Sequence, residues 1–160
     1  MDLRSFEERD GVGCWRLFRD TVHRVNRRDY SLEQLNAWAP ESVDLDAWCD
    51  RFQGRVALVV ELDSKLIGFA DMTRDGYLDR LFVSADHQRR GVAKLIWSGL
   101  DAHLRRLECE TVLTEASITA KPFFESVGFR VLQRQSVECR GVSLDNFRME
   151  WKREKSGQGG

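Results

Sequence analysis

The sequence offers little with which to staple a fold or hold a metal. Its 160 residues include 4 cysteines, Cys14, Cys49, Cys109 and Cys139, far apart and without a C-x-x-C pair, and 3 histidines, none at zinc-finger spacing. No metal is therefore expected, and the cysteines read as reduced thiols of an intracellular protein. No apolar run approaches the roughly 20 residues of a membrane span, and Asp2 and Glu7 stand where a signal peptide would be apolar. The expected location is the cytoplasm, with no membrane partner. Neither sign of charge dominates: 25 Lys and Arg face 26 Asp and Glu for a formal net charge of −1, which removes the electrostatic case for nucleic acid. Internal repeats, linkers and low-complexity stretches are missing too, and a chain of this length buries a sizeable core unaided. One domain over residues 1–155 is expected, with Ser156–Gly160 a small polar tail, disordered or a remnant of expression.

What is present is clear periodicity. Leu3 to Glu7 reads as a short strand, and a helix follows from Asp10 or Gly11 in which Trp15, Phe18, Val22 and Val25 recur at helical spacing. Ser31, with Gln34 three residues on, caps a second helix that Pro40 stops, and a short third helical piece runs from Leu45 to Phe52 before Gly54. Val56 to Glu61 and Lys65 to Met72 form a hairpin about Asp63-Ser64, and Tyr77 to Val83 is the next strand. A helix from Val92 to Leu107, a strand from Thr111 to Ala116 and a helix from Ala120 to Val127 closed by Gly128 come next. Strands Phe129 to Glu138 and Val142 to Trp151 meet at Arg140-Gly141. The main elements run β-αα-βββ-α-β-α-ββ, an α/β fold with a mixed (α+β) sheet.

Gln88-Arg89-Arg90-Gly91-Val92-Ala93 lies between the strand ending at Val83 and the helix that follows. Unpaired backbone N–H groups gather at such a helix start, the helix dipole adds positive charge, and Gly91 removes the side chain that would keep a phosphate off the backbone. Arg89, Arg90 and Lys94 supply cations around the same turn, which suits a ligand with more than one phosphate. The glycines of a P-loop or a Rossmann turn are missing.

This turn resembles the Q/R-x-x-G-x-G/A pyrophosphate-binding turn of the GNAT superfamily of N-acetyltransferases. About thirty residues on, Ala120-Lys121-Pro122-Phe123-Phe124-Glu125-Ser126-Val127-Gly128-Phe129 is similar to that superfamily's A-x-x-F-Y-E-x-x-G-F signature. The element order is also the GNAT order over about residues 3–152, so the resemblance implies a single-domain GNAT fold with a central splayed sheet flanked by helices. Within the superfamily, Asp29 to Ala39 looks like a subgroup of uncharacterised bacterial proteins with a D-Y-[ST]-x-E-Q-x-x-A-W-A helix.

The resemblance implies acetyl-CoA as cosubstrate, direct transfer of its acetyl group to the primary amine of a small molecule or peptide, and no metal. Backbone groups of Leu81, Phe82 and Val83 would meet the acetyl-pantetheine end, with the Val83 N–H as oxyanion donor, while the pyrophosphate lies on Gln88 to Lys94, a stretch that includes Val92 and Ala93. Many members place a tyrosine where this chain has Phe124, which cannot protonate the departing sulfur; a thiol pKa of about 8.5 keeps the thiolate a tolerable leaving group. Phe124 is then core, a wall beside the thioester, or both. Ser117 is either a contact to the pantetheine or a helix N-cap. Asp79, on the same strand face as Tyr77, is the preferred general base, or else a surface charge beside Arg80. Tyr30 and Trp38 either line an acceptor pocket or pack their helix on the sheet. His23, His87 and His103 are scattered, and His87 reads as a surface residue. A homodimer is one arrangement the resemblance allows. A catalytically silent acyl-CoA-binding or sensor protein is the other reading, prompted by Phe124.

Overall fold

The computed structural model describes residues 1–154, so the tail expected at Ser156–Gly160 lies outside the described residues. The chain folds in the order β1 (Asp2–Ser5), α1 (Gly11–Arg24), α2 (Leu32–Trp38), α3 (Leu45–Asp50), β2 (Val56–Leu62), β3 (Lys65–Met72), β4 (Tyr77–Val83), α4 (Val92–Arg106), β5 (Thr111–Ser117), α5 (Lys121–Ser126), β6 (Arg130–Cys139) and β7 (Val142–Lys152). One mixed sheet runs β1-β2-β3-β4-β5-β7-β6.

Local chemistry sets most of these boundaries. Ser31 and Gln34 form a reciprocal capping box, with Gln34 N–H on Ser31 Oγ at 3.2 Å and Ser31 N–H on Gln34 Oε1 at 2.8 Å. Helix α3 is capped by Asp44, whose Oδ1 accepts from the amides of Asp46 and Ala47. It stops at Asp50, two residues short of expectation, and β1 ends at Ser5 because Glu8–Asp10 turns as a short 3-10 segment. Val25 closes α1 as its C-cap instead of extending the buried stripe.

Helix α4 lies on one face of the sheet. Its Val92, Ile96, Leu100 and Leu104, spaced four apart, are all buried. Gly68 of β3 lets this helix come close, since a Cβ there would stand 2.9 Å from Val92 Cγ1. The other face carries α1, α2 and α3 through a second core that includes Trp15, Phe18, Trp48, Phe52 and Phe69.

The sheet divides between β4 and β5. These strands run parallel and pair only at Tyr77 with Leu113 and Leu78 with Thr114, while β5 pairs with β7 along its whole length from Thr111 to Ser117. A bulge sets the point of divergence: Leu78 faces Met72 and Arg80 faces Asp71, which leaves Asp79 as the extra residue. A bulge bends its strand, and beyond it the β5 side of β4 is left without a partner.

Candidate active site

The turn after β4 presents backbone donors. Gly91 is the N-cap of α4 at φ +81°, a left-handed conformation natural to glycine, and a Cβ there would meet no protein atom within 4 Å. The first helical bond is Leu95 N–H to Gly91 O at 3.0 Å, so the amides of Val92, Ala93 and Lys94 have no acceptor among the described residues. Arg89, Arg90 and Lys94 are exposed around them and enter no ion pair among the described residues. The Val92 side chain is core, so this residue offers its amide only. Gln88 turns its side chain back, donating from Nε2 to the carbonyls of Val83 at 2.8 Å and Ser84 at 3.2 Å. Its side chain shapes the turn and points away from the free amides.

The open edge of β4 has a definite phase. Ser84 N–H donates to Ile67 O of β3 at 2.8 Å, and alternation then directs the main chain of Phe82 and Arg80 to β3 and that of Leu81 and Val83 to the open side. Thr21 Oγ1 and Gln88 Nε2 both donate to the Val83 carbonyl, at 3.0 and 2.8 Å. The Val83 N–H and both main-chain groups of Leu81 face the gap. Phe82, expected to meet the cofactor through its backbone, spends that backbone on β3. Its ring stands edge-on to Phe18 at 4.9 Å, on the opposite side from α4.

Across the gap, Ser117 Oγ accepts from Ala120 N–H at 3.0 Å and from Asn26 Nδ2 at 3.3 Å, so it closes the turn into α5. Phe124 is 4% exposed, packs against Phe123 and Phe129, and lines the gap with its remaining edge. It is core and wall at once.

A cavity of about 350 Å³ opens from the gap toward α1, α2, α3 and the β6–β7 hairpin. Its apolar wall includes Trp15, Phe18, Tyr30, Trp38 and Trp48. The Tyr30 hydroxyl donates to Asp145 O of β7 at 2.6 Å and accepts from Ile118 N–H after β5 at 3.0 Å, which ties the segment before α2 to the β5 side of the gap. Trp38 lies edge-on to that ring at 5.6 Å. Both residues therefore pack their helix and line the cavity. Of the histidines, His23 is tied through Nε2 to Ala39 O at 2.8 Å and His87 through Nδ1 to Ser84 Oγ at 3.1 Å.

The polar end is a cluster that sequence reasoning did not foresee. Asp79 Oδ2 accepts from Arg51 Nη2 at 2.9 Å and Arg55 Nη1 at 2.7 Å. Burial works against its charge, but these guanidiniums prevail and hold its pKa below the ordinary carboxylate value. Arg55 Nη1 also reaches the fully buried Asp71 at 2.7 Å, which Arg80 grips in bidentate fashion at 2.8 and 2.9 Å. The Arg80 guanidinium sits 4.4 Å from the ring centres of both Trp48 and Phe52, and its Nη1 is buried without a hydrogen-bond partner among the described residues. Three guanidiniums thus face two carboxylates. Tyr77 is pushed up to about 12, by burial first and then by Glu115 and Asp79, and stays a neutral phenol. Glu115, also missed, lines the cavity on the exposed side of β5 and enters no ion pair among the described residues. The burial of Val112, Thr114 and Ala116 shows the alternation that could have found it.

A strand pair that opens onto a cavity, beside a helix start bearing free amides and unpaired cations, is an arrangement with known counterparts. The family model described as an acetyltransferase (GNAT) domain matches residues 26–152. The chain belongs to the GNAT acetyltransferases. It is 33% identical over 153 residues to the uncharacterized N-acetyltransferase YafP of Escherichia coli (strain K12), covering 95% of this chain and 96% of that one. Among solved structures, a GCN5-related N-acetyltransferase from Rhodopseudomonas palustris superposes with a TM-score of 0.90 at 26% identity, over 94% of each chain. The PaiA N-acetyltransferase of Thermoplasma acidophilum, solved in complex with coenzyme A, superposes at 0.76 with 18% identity, over 94% of this chain and 98% of that one. This GNAT acetyltransferase is thus an acyltransferase with acetyl-CoA as cosubstrate. No group of three or more metal-ligating side chains occurs among the described residues, and no helix among them is long and apolar enough to cross a membrane.

Proposed function

We propose that this protein acetylates a primary amine that enters through the aromatic cavity and attacks the thioester in the gap between β4 and β5. The observation that carries this reading is the unpaired edge of β4 running from the bulge to the anion-binding turn. The pyrophosphate rests on the amides of Val92, Ala93 and Lys94, with Arg89 and Arg90 beside it, and the pantetheine extends along β4 as an added strand. Because the phosphate end lies next to Val83, the thioester lies further back. The Leu81 N–H then replaces the Val83 N–H as oxyanion donor, while Val83 pairs with the pantetheine.

The amine must lose a proton before or during attack. Asp79 Oδ1 has no partner among the described residues, and its charge holds the incoming ammonium at the point where the strands part. Its lowered proton affinity makes it a weak base, so the proton drawn from the ammonium passes on through water to Glu115, and the neutral Tyr77 hydroxyl orients that water. Phe124 offers no proton to sulfur, so coenzyme A leaves as thiolate. Ser117 limits the pantetheine end of the gap.

The test is time-resolved release of free coenzyme A from acetyl-CoA across polyamines, amino acids, aminoglycosides, arylamines and peptides. Amine-dependent release supports transfer. Tight acetyl-CoA binding with no release from any amine would reject it. Asp79→Asn and Glu115→Gln should each lower kcat and, combined, should do so less than additively if they share one proton.

A further inference from the structure

The charge count at the polar end of the cavity bears on what kind of amine fits there. Arg51, Arg55 and Arg80 neutralise only Asp71 and Asp79, and no other carboxylate joins this cluster within ion-pair distance among the described residues. The surplus positive charge has one exposed outlet that lines the cavity. Arg80 is 5% exposed between its aromatic neighbours, and Arg55 spends Nη1 on both aspartates. Arg51, by contrast, is 46% exposed, lines the cavity, and uses only Nη2, which leaves Nη1 and Nε without partners among the described residues. An arginine in that state is a ready fork for a carboxylate.

Resting on the acetyl-transfer reading above, we propose that the acceptor is a free α-amino acid with an apolar or aromatic side chain, whose carboxylate is held by Arg51. The short separation of the two ends favours an α-amino acid over longer amino acids. Asp79, bonded to Arg51 at 2.9 Å, lies two residues from Leu81, about 7 Å along a strand at ~3.3 Å per residue. An acceptor that spans from the Leu81 amide to Arg51 carries its amine and its anion on neighbouring atoms. The side chain on the acceptor's α-carbon then extends along the aromatic wall formed by Trp15, Phe18 and Trp38, which suits an apolar or aromatic group. The transfer balances without a further reactant: the ammonium loses one proton before attack, the amine nitrogen forms the amide bond, the carbon–sulfur bond breaks with its electron pair on sulfur, and the nitrogen loses a second proton as the amide forms.

The experiment compares kcat/KM for phenylalanine, phenylalaninamide and phenethylamine in wild type, Arg51→Gln and Arg51→Lys. Binding of phenylalanine to the coenzyme A-loaded protein is measured by calorimetry alongside. The wild type should prefer phenylalanine to both carboxylate-free amines by on the order of tenfold or more, the worth of one charge-assisted contact. That ratio should fall toward unity in Arg51→Gln and partly recover in Arg51→Lys. Turnover of all three amines without preference, or a preference that Arg51→Gln leaves intact, would overturn the assignment while leaving acetyl transfer standing. No release with any of the three and no heat on adding phenylalanine would also overturn it. An acetyl-CoA titration of the same sample would then tell whether the acetyltransferase reading fails with it.

Discussion

Replacing Asp71 by Asn strikes the least replaceable charge in the molecule. The carboxylate is fully buried and accepts from Arg80 Nε at 2.8 Å, Arg80 Nη2 at 2.9 Å and Arg55 Nη1 at 2.7 Å. Asparagine keeps the shape but removes the charge and aims an N–H2 at guanidinium donors. Arg55, 25% exposed and still bonded to Asp79, can be served by water, whereas Arg80 is left charged between Trp48 and Phe52. Breaking one side of such a buried pair costs about 3–5 kcal/mol, and at about 2–4 °C per kcal/mol for a protein of this size the melting temperature should fall by roughly 6–20 °C. Urea unfolding followed by tryptophan fluorescence reads this directly, since Trp48 lies against the guanidinium. Asp71→Leu combined with Arg80→Met should recover most of the loss, because the penalty comes from the stranded charge. A cost below about 1 kcal/mol for Asp71→Asn, or a double variant no more stable than the single one, would refute the reasoning.

Gly91→Val should cost about 1–2 kcal/mol in stability, from forcing a β-branched residue to φ +81°, and should weaken coenzyme A binding at least tenfold by calorimetry; an unchanged Kd would remove the pyrophosphate from this turn. Tyr30→Phe leaves the Ile118 amide and the Asp145 carbonyl without their partner, and a loss of about 1–3 kcal/mol in chemical denaturation is expected. Asp79 has a folded-state pKa below its unfolded value, so its stabilising contribution is complete above the unfolded value near 3.9 and is lost as pH falls through the folded one. The stability gap between wild type and Asp79→Asn should therefore be widest above about pH 5 and should narrow in stronger acid; a gap constant down to pH 2 would contradict the ion-paired state.

The legible parts of this protein are those written in consecutive residues. The Ser31–Gln34 cap, the helix beginning at Val92 and the glycine turn at Gly91 each depend on neighbours within one helical turn, so pattern alone located them. The Arg55–Asp71–Arg80 cluster depends on partners from different strands, brought into contact by pairing register, and single-residue charges in a sequence do not announce that register. The misreading of Phe82 has the same origin. Which edge a main-chain group faces is settled by the bond from Ser84 to Ile67, a relation between two strands. Tyr77 and Asp79 were rightly expected on one face, but the bulge adds Arg80 to their cluster, against simple alternation.

The two residue pairs that join β4 to β5 also bear on how the protein breathes. Strands β1 to β4 and strands β5 to β7 are two blocks, each internally laddered, whose shared seam holds little hydrogen bonding of its own. On the proposed placement, the cosubstrate lies in that seam and is a structural member of the sheet for as long as it stays. Amides of Leu81 and Val83 should then exchange with solvent quickly in the free protein and slowly in the complex, and the protein should gain stability with the logarithm of acetyl-CoA concentration above its Kd. Turnover would then remove and restore a strand of the sheet in every cycle.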